Sequence, residues 1–242
     1  MKIPLFGRPS AGKDWKSCKD GANVTPEPMR AKKWSPLDFR VKILAAGSLE
    51  HTKSLAVTAN QVQTQLQQDF KEWLPTTQLN MSVETFLDGC RHSTPWSTKP
   101  ADITSSATRW HCYPTQTQFV NAFNDMSDSN MPAVEVAILL TDRLDDNPER
   151  TAEAAKRLHL EKGTRIFALP LSGETNLSQC LENITSETNG LLLDLGHNPS
   201  ENIVRNAVRE ITQCVALKNA GKSLDQLPAP ETPLLEHLRK EV

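Results

Sequence analysis

The stretch Val134-Glu135-Val136-Ala137-Ile138-Leu139-Leu140-Thr141-Asp142, with Asn147-Pro148 after it and Gly163-Thr164-Arg165-Ile166-Phe167-Ala168 beyond, decides the fold. Val134 to Thr141 is a short apolar run broken once, by Glu135, which is the pattern of a buried strand. Asn147 is suited to cap a helix, and Pro148 can take the first helical position, where its missing N–H costs nothing. Ala152, Ala155 and Leu158 then give a narrow apolar face, and Gly163 supplies the stop. Arg165 to Leu171 reads as the next strand. Strands separated by helices imply parallel pairing through right-handed crossovers.

The same alternation extends outward from this unit. Downstream, Asn176 to Thr188 reads as a helix stopped by Gly190, and Leu191 to Leu195 as a strand. Ser200 to Asn219 follows as a helix with Ile203, Val204, Ala207, Val208, Ile211 and Val215 inward. Upstream, Phe39 to Ala46 is a buried strand, and Thr52 to Trp73 is a long helix with Leu55, Val62, Leu66 and Phe70 apolar. Leu79 to Leu87 alternates as a strand, residues 88–116 are irregular and polar, and Gln118 to Met126 is helical. The expected class is α/β: a doubly wound, mostly parallel sheet with helices on both faces.

Residues 39–221 are expected to form this domain. Residues 1–38 carry eight Lys/Arg against four Asp/Glu and show no helical or alternating period, so they read as a flexible basic arm. Residues 222–242 read as a proline-rich linker, Gln226 to Pro233, followed by a short helix containing Leu234, Leu235 and Leu238.

Composition narrows the function. The 242 residues carry a formal charge of −2, so no global basic field points to nucleic acid. No apolar run is long enough to span a bilayer, and the start Met1 to Arg8 lacks the apolar stretch of a secretory leader. Five cysteines, an odd and scattered set without Cys-x-x-Cys, read as free thiols in a reducing compartment. The expected location is cytoplasmic.

Two motifs are decoys. Gly7 to Asp14 fits a phosphate loop except at its last position, where Asp14 replaces the Ser or Thr that would hold magnesium. Cys90/His92 and His111/Cys112 are spaced more tightly than usual zinc-ligand pairs, so they read as loop and packing residues.

The informative pair is Ser48 and Asp142. Each follows a strand expected to be parallel, so each lies at a carboxyl end. If those strands are neighbours where the winding reverses, both side chains share the crevice in which open α/β sheets bind ligands. Thr117 precedes the helix leading towards the second strand, and its loop can reach the same place. Ser and Asp at strand ends also commonly cap turns and helices, and that alternative stays open.

From Phe39 to about Leu217 the chain resembles a von Willebrand factor type A domain. The resemblance rests on Ala137-Ile138-Leu139-Leu140-Thr141-Asp142, the helix Asn147–Lys162, the strand from Gly163 to Ala168, and Thr188-Asn189-Gly190; Thr85-Phe86-Leu87-Asp88 looks like the family's second strand. It implies a Rossmann-like fold and a metal-ion-dependent adhesion site at the strand ends. Carried across, that site's Asp-x-Ser-x-Ser falls on Ala46, Ser48 and Glu50, its threonine on Thr117, and its Thr-Asp-Gly aspartate on Asp142, followed by Arg143. The leading carboxylate is therefore lost and a cation stands beside the remaining one. A metal, if held, would sit on Ser48, Thr117 and Asp142, but Mg is disfavoured and no cofactor is expected.

What the resemblance implies is a non-catalytic adaptor that binds a protein partner through Ser48, Glu50, Thr117, Asp142, Arg143 and Asp145. It also implies a place beside ATPases, kinases or membrane complexes, as a subunit of a bacterial complex. Two alternatives remain at this stage: a structural subunit held by its tails, and a hydrolase built on Ser48 and Asp142. Against the hydrolase, Leu49-Glu50 stands where a nucleophile elbow needs a small residue.

Overall fold

The computed structural model describes residues 38–47, 52–87, 90–103, 119–143, 147–172 and 175–219. The basic arm and the proline-rich tail lie outside them. The elements in chain order are β1 (Asp38–Ala46), α1 (Thr52–Trp73), β2 (Gln78–Leu87), β3 (Cys90–Ser93), α2 (Phe119–Ser127), β4 (Val136–Thr141), α3 (Pro148–Lys162), β5 (Arg165–Pro170), α4 (Thr175–Glu187) and α5 (Glu201–Asn219). The sheet order is β3-β2-β1-β4-β5. β2, β1, β4 and β5 are parallel, and β3 returns antiparallel on β2.

Period-two alternation splits each central strand between two cores. Val41, Ile43, Val83, Ile138, Leu140 and Phe167 face one way, with Leu55, Leu66, Val204 and Ile211 of α1 and α5. Leu44, Ala46, Leu139 and Ala168 face the other way, with Phe119, Phe123, Leu158 and Leu181 of α2, α3 and α4. Burial on both faces explains why the strands read as apolar runs. The expected doubly wound α/β fold is what the chain adopts. No helix among the described residues is long and apolar enough to cross a membrane.

The caps of α3 form as the sequence predicts. Asn147 accepts the Arg150 N–H at 3.1 Å, Pro148 opens the helix, and Gly163 at φ 72° donates its N–H to the His159 carbonyl. The helix is rotated slightly from the expected face: Thr151, Ala154, Ala155 and Leu158 are buried, and Ala152 is only half-buried.

Three expectations need correction. Leu191 to Leu195 runs alongside β5, yet a single isolated bridge, Ala168 to Leu192, is all the pairing it completes. Leu193 donates to the Ala168 carbonyl and Leu195 to the Pro170 carbonyl, but the reciprocal bond from residue 170 is missing because proline has no N–H. Within residues 88–116, Cys90–Ser93 forms the edge strand β3, and Met81 and Ser97 exchange a further pair of bonds. Ile203, expected inward, is 45% exposed, because it lies off the face of α5 on which Val204, Ala207, Val208, Ile211 and Val215 are buried.

Charge is also buried. Lys42 of β1 and Glu84 of β2 form an ion pair at 2.6 Å, with side chains 7% and 0% exposed. On α5, Glu210 is half-buried and has no ion-pair partner among the described residues; burial pushes its carboxyl up to about 7 from 4.5. Burial likewise raises Asp69 and Glu135.

A raised carboxyl keeps its proton in the native chain over a range where the unfolded chain has released it. Stability from Glu210 is thus fully present below pH 4.5 and is lost as pH rises through about 7. Allowing for its partial exposure, the loss is about 1–2 kcal/mol. In urea unfolding between pH 5 and 8, Glu210→Gln should gain stability relative to the parent as pH rises. A constant gap at every pH would contradict this.

Candidate functional site at the ends of β1 and β4

Sheet topology locates the site. From β1 the chain passes through α1 to β2 on one side, and later crosses back to lay β4 on the other side of β1. The winding therefore reverses between β1 and β4, with Ala46 opposite Thr141 at their carboxyl ends. Loops leaving two such strands diverge and open a crevice.

Gly47 and Asp142 form its described floor. The Asp142 side chain is only 5% exposed. A Cβ on Gly47 would stand 3.0 Å from the Leu55 methyl of α1 and in ordinary contact, at 3.4 Å, with Asp142 Oδ1, so the backbone at 47 lies directly beside the carboxylate. Below it, the buried Thr141 hydroxyl donates to the Arg143 carbonyl at 2.8 Å and accepts the Arg143 N–H at 3.2 Å. This local turn, a common use of a strand-end threonine, fixes the direction in which Asp142 leaves the sheet. Arg143 Nε lies 4.0 Å from Asp142 Oδ1, and its side chain is about one-third exposed.

Ala46 does not contribute to the crevice chemistry. It is fully buried and packs in the second core with Leu44, Phe86 and Phe119. Of the residues singled out from sequence, Asp142 and Arg143 are brought together at the switch point. Ser48, Glu50, Thr117 and Asp145 lie outside the described residues. Gly47 was missed, although a glycine immediately after a strand is a recognisable sign of close approach. Two cavities, of about 260 Å³ along the α1–α5 seam and about 130 Å³ at the amino ends of β1, β4 and β5, do not include Asp142. Among the described residues no group of three His, Cys, Asp or Glu side chains is placed to hold a metal.

Gly47 yields a local prediction. Gly47→Val would push its branched side chain into Leu55 and Asp142, costing about 1–3 kcal/mol and turning the carboxylate out of the crevice. Thermal unfolding measures the cost. A variant as stable as the parent would contradict the close approach.

The fold and this crevice define a doubly wound α/β protein with its candidate site at the topological switch point. No family model matches the chain, and no curated protein matches it. Among solved structures it is similar to the pilus adhesin SpaC from Lactobacillus rhamnosus GG, at 12% identity over 77% of this chain, with a TM-score of 0.49. The chain spans only 32% of that adhesin's length. It is also similar to the VWA domain of SpRpn10, at 11% identity over 70% of this chain and 93% of that one, with a TM-score of 0.49. A third is the vWF domain of the type V pili tip protein Mfa5 from Porphyromonas gingivalis, at 11% identity over 80% of this chain and 99% of that one, with a TM-score of 0.46.

Proposed function

We propose that this chain is a non-catalytic protein-interaction module of the von Willebrand factor type A kind, docking its partner at the β1/β4 crevice without a tightly held metal. The observation that carries the reading is the buried Asp142 carboxylate at the switch point, seated against side-chain-free Gly47 with the Arg143 guanidinium beside it. The Arg143 guanidinium, about one-third exposed beside that carboxylate, offers a partner a charge-assisted donor. The reading also includes Ser48, Glu50, Thr117 and Asp145, which would supply that partner with hydroxyls and further acids.

The donor set suits magnesium poorly. Magnesium takes six oxygens in near-octahedral geometry and usually relies on one or two carboxylates. Ala46 supplies a methyl group to the core where the family pattern has its leading carboxylate. Arg143, near Asp142, opposes a dication by direct repulsion. Calorimetric titration of the full chain with magnesium and with manganese is expected to show no micromolar binding. Micromolar binding that disappears in Asp142→Ala would overturn the metal-free reading.

A further inference from the structure

We draw no further inference here: the strongest candidate, the cavity of about 260 Å³ on the α1–α5 seam, carries nothing, because Glu201 and Arg205 in its lining pair with each other at 3.1 Å and nothing in the structure shows what covers it.

Discussion

Gly190→Ala is expected to cost the fold about 3 kcal/mol and to lower Tm by about 6–12 °C. A Cβ built on Gly190 falls 1.6 Å from the Ile166 carbonyl oxygen and 2.6 Å from its carbon. Both atoms belong to the backbone of β5, so no rotamer change relieves the overlap. Neither chain is free to withdraw. Gly190 donates to the Thr185 carbonyl at 2.8 Å, and the Ile166 N–H is held by the Thr188 hydroxyl at 3.2 Å. That hydroxyl in turn donates to the Ile184 carbonyl, so the end of α4 and the start of β5 are tied at one point. Gly163→Ala provides the control. Nothing lies within 4 Å of its added Cβ, and the cost is that of a left-handed φ of +72°, about 1 kcal/mol. Circular-dichroism melts of the two variants should therefore differ clearly. Equal melting temperatures would show that β5 and the end of α4 yield more readily than this packing implies.

The second large effect is expected at the buried ion pair. Lys42→Met should cost about 3–5 kcal/mol, because it removes the ammonium that pairs with the fully buried Glu84 carboxylate. The double variant Lys42→Met/Glu84→Leu should recover most of that loss. Replacing both charges by apolar groups of similar volume removes the desolvation penalty together with the attraction. Urea unfolding of the two single variants and the double gives a thermodynamic cycle. Strict additivity would mean that the two charges do not act as a pair.

Local signals were legible where local physics decides. The bounds of α1, Thr52 and Trp73, follow from its apolar period, and all of Leu55, Val62, Leu66 and Phe70 are buried. The caps of α3 follow from Asn147, Pro148 and Gly163, whose effects reach only one turn. Non-local pairing was not legible. Whether Leu191 to Leu195 becomes a full strand is settled on the neighbouring strand, by the missing N–H of Pro170. β3 exists because it returns against β2 in the register Glu84 to Ser93, which its own four residues do not reveal. The Lys42–Glu84 pair likewise depends on the register that sets Leu44 opposite Glu84.

The candidate site was legible in part for the same reason. Asp142 after the most apolar strand is a local sign, and its place at a reversal of winding follows from the parallel neighbours β1 and β4. That Gly47 lies beside its carboxylate is a contact between residues 95 positions apart, visible only once the strands are paired.

The most direct test of a crevice that docks a partner is site-specific photo-crosslinking with the full chain. A photoreactive residue at position 143 is compared with one at position 128, in the α2–β4 loop, with lysate of the source organism as the pool of partners. The account predicts one dominant crosslinked protein from position 143, absent from position 128, and lost when Asp142→Ala is introduced. The same crosslinked species from both positions, or a species from position 143 that is unaffected by Asp142→Ala, would contradict docking at the β1/β4 crevice.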